Sequence, residues 1–205
     1  MPTRRLVHTR SISAQVFARD DGLWDVEAEL VDTKGGDFRL ATGTRLAGEP
    51  IHHMRLKVTI DTSLHVVEAG ATSVSVPYPG SCETIAPDYR RLVGLNLMRN
   101  FRRDVRLLFG GTAGCTHITE LTNVLPTAAI QAFAGEVIRT RDASEDDPAP
   151  GPDALLEQKP FQLDRCHALK SDGPAVAQFY PRWYRRAPDP SNDVPETKPV
   201  AERQT

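Results

Sequence analysis

The stretch LLFGGTAGCTHITEL (107–121) holds Cys115 and His117 two residues apart, behind a glycine-rich turn and ahead of an apolar-periodic segment. Backbone N–H groups at a helix start favour a thiolate, the form of cysteine that attacks carbon and binds metal. An imidazole so close can take the thiol proton, orient a ligand or share a metal. The residue types allow three chemistries: an activated nucleophile, a metal site, or a helix start with an incidental cysteine. Other groups of the same chemistry lie along the chain. Cys82 sits in a Pro/Gly turn, Cys166 is followed by His167, and His52 belongs to an alternating segment. Cysteine and histidine in a coordination of four suit zinc or iron. There is no C-x-x-C pair, so position, not spacing, supports a metal site at His52, Cys82, Cys115, His117 and Cys166. A buried cysteine taken singly is more often a small hydrophobe.

Positioning these groups requires strands first and helices second. In WDVEAELVD, Trp24, Val26, Ala28 and Leu30 alternate with acidic residues, the period of a half-buried strand, after a hairpin signal at Asp21-Gly22. IHHMRLKVTID alternates too; with Leu56 and Val58 in the core, His52 faces the core and His53 faces out. LHVVEAGATSVSV completes a meander after a turn at 61–63. His8, His53 and His65 read as surface residues. Asp21, Asp32 and Lys34 read as turn charges that become acid–base groups only where the fold brings them to a cleft. Leu92, Leu95, Met98, Val105 and Leu108 predict a first helix, interleaved with six arginines and stopped by Gly110, Gly111 and Gly114. Ile118, Leu121, Leu125, Ala128 and Ala132 predict a second, capped by Thr116 and kinked at Pro126.

The expected fold is therefore α+β: an antiparallel sheet of about four to six strands with two long helices packed on one face. Residues 1–140 form the main domain, 141–154 an acidic, Pro-rich linker or loop, 155–186 a C-terminal segment with a short aromatic strand that packs back, and 187–205 a disordered tail. Three cysteines are too few and too dispersed for a disulfide framework. The net charge of −2 asks for neither nucleic acid nor an anionic membrane. No apolar run approaches the ~20 residues that span a bilayer. The basic N-terminus lacks the apolar core of a secretory signal, so the expected location is the cytoplasm.

On GCTHI, RDDGLWDVEAELVDTK, GEPIHHMRLKVTID, PYPGSCETIAP, LVGLNL and KPFQLDRCHALKSDGP, the chain resembles a bacterial family of unknown function marked by a Gly-Cys-Thr-His-Leu segment, with Ile118 in the leucine position. The likeness covers roughly residues 10–185. It carries His52, Cys82, Cys115, His117 and Cys166 as motif positions, and Asp21, Asp32 and Lys34 less firmly. It implies a link to catabolism of aromatic and other small organic compounds. The order of strands, cysteine turn, Gly-Cys helix and Cys-His pair is also similar to iron–sulfur scaffold proteins of the NifU type. The expected function is a small-molecule enzyme, metal-dependent or working through Cys115. It would perform lyase-type cleavage of an aromatic or hydroxylated substrate, with His52, Cys115, His117, Asp21 and Lys34 as its acid–base and nucleophilic groups. The alternative is a zinc or iron–sulfur carrier. The expected partners are a small-molecule substrate and, in a homo-oligomer of open size, further copies of the chain.

Overall fold

The computed structural model describes residues 2–138 and 159–186. The expected linker at 141–154 and tail at 187–205 lie outside them. The chain divides into two units, Met1–Val137 and Ile138–Thr205.

The first unit is built on a four-stranded antiparallel sheet in the order β1 (His8–Ala18), β2 (Trp24–Lys34), β5 (Pro50–Ile60), β6 (Val66–Ser75). Two short strands, β3 (Phe38–Leu40) and β4 (Gly43–Arg45), form a separate hairpin that the sequence pattern does not announce. The turn between β1 and β2 falls at Asp21-Gly22 as expected, with Gly22 at φ +82°, a region open to glycine.

Alternation decides which face is covered. Val26, Ala28 and Leu30 of β2 lie beside Met54, Leu56, Val58 and Ile60 of β5, all buried. Asp25, Glu27 and Glu29 point the other way and pair with Lys57, Arg55 and His53. The sheet thus has one apolar face and one charged, solvated face, as antiparallel sheets commonly do.

The helices are shorter than the periodicity predicts. The expected first helix is split: a 3₁₀ segment, Cys82–Leu92, lies along β6, and only Phe101–Phe109 is α-helical (α1). Gly94 at φ +87° and Asn100 at φ +56° break the path between them. Consequently Met98 is 44% exposed, whereas Phe101, Val105 and Phe109 are buried. The second is α2 (Thr116–Thr122) and α3 (Leu125–Phe133), separated by a short turn ahead of Pro126, so it is nearly one helix with the predicted break. Its N-cap is Cys115, not Thr116. Ile118, Leu121, Leu125, Ala129 and Phe133 are fully buried, with α2 over β2 and β5 and α3 over β1 and β2. The Phe133 ring meets Trp24 at 4.9 Å.

In the second unit Cys166 precedes a 3₁₀ turn, His167–Leu169. The expected aromatic strand is instead α4 (Pro174–Phe179) followed by a 3₁₀ turn, Pro181–Trp183. Pro174 in the first helical turn is pre-set for a helix, and the alanines after it favour one. No helix among the described residues is long and apolar enough to cross a membrane.

Leu56 is 1% exposed at the centre of the covered face. Leu56→Ala is expected to lower stability by about 2–5 kcal/mol, read as the shift in urea midpoint at constant m-value.

Candidate functional site

The apolar stripe of β2 ends in a charge. Asp32 follows Val26, Ala28 and Leu30 on the covered face and is only 2% exposed. A carboxylate buried in that way is tolerable only with strong partners, and neighbouring elements supply them. Arg10, directly opposite on β1, donates from Nε to Oδ1 and from Nη2 to Oδ2, both at 2.8 Å. His8 Nε2 lies 3.2 Å from Oδ1. His52, opposite on β5, brings Nδ1 to 3.2 Å from Oδ2. His117, in the first turn of α2, places Nε2 3.5 Å from the same oxygen. The β2–β5 register shifts between Asp32 and Thr33, beside Pro50. This irregularity lies next to the Asp32–His52 pair, one pair short of the end of the ladder, and bulges in such places re-aim side chains.

The two imidazoles stack, with centroids 3.6 Å apart and planes 23° apart. Turned the other way, His117 presents Nδ1 to Cys115 Sγ at 3.9 Å. With its proton on Nε2, His117 has Nδ1 free to accept from the thiol, and the buried carboxylate lies 3.5 Å beyond Nε2. As N-cap of α2, Cys115 makes no side-chain capping bond, so its sulfur remains available.

Tyr89 holds the cysteine from behind. Its hydroxyl donates to Cys115 O at 2.9 Å, accepts from Cys115 N at 3.0 Å and meets Thr119 Oγ1 at 2.6 Å. Its ring is fully buried and stacks on Phe109 at 4.3 Å. Burial pushes the phenol's pKa up, so it stays protonated. Gly114 explains the glycine before Cys115: a Cβ there would sit 2.6 Å from Phe109 Cβ and from Phe109 O. The requirement is steric, because φ at Gly114 is an ordinary extended −151°.

The residues singled out in the sequence are distributed unevenly. His52, Cys115 and His117 come together. Asp21 does not join them: it caps the hairpin turn, paired with Arg19, at the end of β2 that lies roughly 27 Å of strand from Asp32. Lys34 lies two residues beyond Asp32 with its ammonium over the Phe38 ring, 5.1 Å from the centroid. Cys82 is half-buried at the start of the 3₁₀ segment Cys82–Leu92, and Cys166 is exposed in the second unit. Asp32, read as a turn charge, is the centre of the site, and His8, read as a surface residue, is on it. Arg10 has no mark in the sequence beyond its place opposite Asp32, which only the strand register reveals.

The chain aligns with a family model described as a protein of unknown function, DUF2889, over residues 8–131. The chain belongs to the DUF2889 family. The matched span runs from His8 through α2 into α3 and so contains every residue of the Asp32 cluster, together with Cys115 and Tyr89. No curated protein and no solved structure matches the chain.

Asp32, His52 and His117 form a group that could hold a metal ion, with one ligand atom from each within 4.8 Å of the others. In the arrangement seen, two near-parallel rings stacked at 3.6 Å do not both aim a lone pair at one point ~2.0–2.1 Å from each nitrogen. One ring must leave the stack to coordinate an ion. Both Asp32 oxygens are also engaged by the Arg10 guanidinium.

Protonation follows from burial. Burial alone would raise Asp32, but the Arg10 hydrogen bonds and charge, with the nearby imidazoles, bring it below the usual carboxylate range. Burial lowers His52, only partly offset by Asp32. Burial and the neighbouring His52 push His117 down to about 4, against the pull of Asp32. At neutral pH both stacked rings are therefore uncharged beside one carboxylate and one guanidinium.

A histidine depressed in the folded state is protonated first in the unfolded chain. Its contribution is complete above about pH 6.5 and is lost as pH falls from there to about 4. The linkage ceiling for His117 is about 3 kcal/mol, lowered by solvent access to the ring. The urea midpoint is expected to fall between pH 7 and 4.5, with a smaller fall in His117→Gln. Asp32 acts in a separate window: its stabilising contribution is lost only below about pH 4.

Proposed function

We propose that the protein is a small-molecule enzyme that works by covalent catalysis. Cys115 is the nucleophile, His117 the base that receives its proton, and Asp32 the group that orients His117. The observation that supports this reading is the bridging position of His117, with Nδ1 3.9 Å from Cys115 Sγ and Nε2 3.5 Å from the buried Asp32. Separations of this kind are loose for a resting site and tighten when substrate binds. A neutral His117 at pH 7 has its accepting nitrogen free, and Arg10 keeps Asp32 ionised.

On an oxygenated aromatic or hydroxylated substrate, the thiol adds to an electrophilic carbon and a neighbouring carbon–carbon or carbon–oxygen bond breaks. The proton held by His117 goes to the departing atom, and a water molecule that gives its proton to the same imidazole then displaces the sulfur, releasing the bound fragment and restoring the thiol. This is the cleavage chemistry expected from the sequence, placed on Cys115. His52, stacked on His117, restricts the ring to one orientation and supplies a second neutral imidazole for proton movement. Arg10, 40% exposed at its side chain, offers its outer edge to an anionic group of the substrate.

A second reading, a zinc or iron carrier, is favoured by the convergence of Asp32, His52 and His117. Cobalt(II) titration separates the two: a stoichiometric visible spectrum lost in His52→Ala supports the carrier.

Reactivity of the thiol tests the nucleophile. Iodoacetamide at pH 7, followed by peptide mapping, is expected to label Cys115 faster than Cys82. His117→Asn should slow Cys115 at least about tenfold, within the range of general-base assistance, while the exposed Cys166 is labelled at an unchanged rate. Equal labelling of Cys115 in both proteins contradicts the proposal.

A further inference from the structure

The two edges of the sheet are treated differently. The β6 edge is partly closed by its own chain: Val66 N donates to Leu95 O, and Gly94 N donates to Val66 O. Its pairing with β5 shifts register twice, and the 3₁₀ segment Cys82–Leu92 lies along it. Of the devices that blunt an edge strand, the β1 edge keeps one inward-turned charge, Arg10, which is held by Asp32, and lacks bulges, prolines and lysines. It pairs with β2 over eleven residues with no register shift. It contains no proline, glycine, lysine or acidic residue. Among the described residues no strand lies on its outer side. Exposed apolar side chains gather on it and just before it: Leu6 65%, Val7 54%, Ile12 38% and Phe17 46% exposed.

We propose that β1 pairs antiparallel with β1 of a second copy of this chain, so that two sheets continue into one of eight strands. The strand suits itself as a partner. About a two-fold axis at Ser13, Thr9 faces Phe17, Arg10 faces Val16, Ser11 faces Gln15 and Ile12 faces Ala14. No like charges oppose, and Thr9–Phe17 is an aromatic–β-branched pair of the kind that stabilises antiparallel neighbours. The seam is about 37 Å long at ~3.4 Å per residue, and an isologous contact of this kind closes at two copies. It also braces the strand that carries His8 and Arg10, so each site gains a fixed wall from the pairing. The inference stands on the edge geometry and is independent of the chemistry assigned to Cys115.

Sedimentation velocity over a concentration series tests it. The wild type is expected at twice 22.6 kDa. Ser11→Lys/Gln15→Lys sets ammonium groups opposite one another twice across the seam and should raise the dimer Kd at least about tenfold. Ser11→Glu/Gln15→Lys restores opposite charges at the same positions and should return the Kd to the wild-type value or below. Both positions are exposed on the monomer, and hydrogen exchange of wild-type β1 amides gives a second readout that needs no variant. Protection there should rise with protein concentration. A wild type that stays at 22.6 kDa at every concentration, a dimer equally stable in both double variants, or β1 exchange independent of concentration overturns the proposal.

Discussion

The site depends on one buried carboxylate. Asp32 sits where an apolar residue would continue the β2 stripe, and an isolated charge there would carry a large desolvation cost. The Arg10 fork is the right kind of partner: planar, permanently charged and matched to two oxygens at once. Once that pair exists, the remaining lone pairs of the carboxylate attract hydrogen-bond donors, and the imidazoles of His8, His52 and His117 gather around it. Four separate elements are thereby tied to one side chain, so the local geometry reflects the register of three strands and the docking of a helix.

That coupling explains why the helix side of the unit is built as it is. α2 has seven residues, too short to hold its place by its own hydrogen bonds. Burial of Ile118 and Leu121 presses it onto β2 and β5, and this packing sets His117 over His52. The Tyr89–Phe109 stack and the tight fit at Gly114 fix the incoming chain. Cys115 is thus placed by hydrophobic contacts and one phenol, and His117 by the same helix packing together with the charge of Asp32.

Much of the sheet was legible in the sequence, because period-2 alternation reports directly which face is covered. The inward turn of His52 and the outward turn of His53 follow from counting back from Leu56. Cys115 and His117 stood out by chemical type. Arg10 and His8 did not, because strand pairing between residues 22 or more apart leaves no local trace. Asp32 looked like a turn charge because it stands near Lys34-Gly35-Gly36. The first helix was overestimated: apolar spacing continued through Leu95 and Met98, but the left-handed Asn100 and the turn at Gly94 interrupt it. Cys82 and Cys166 share the residue type of Cys115, and residue type alone does not report neighbours.

The Tyr89 hydroxyl has a consequence for any reaction at the sulfur. It already occupies the backbone amide of Cys115, the group that acyl-transfer enzymes often lend to a developing oxyanion. In the proposed reaction, negative charge building on a substrate oxygen must therefore be met from the side, by the unused edge of a guanidinium or by an imidazolium. Under the proposed thiol chemistry, substrates whose charge delocalises into a ring or an enolate suit Cys115 better than a simple amide.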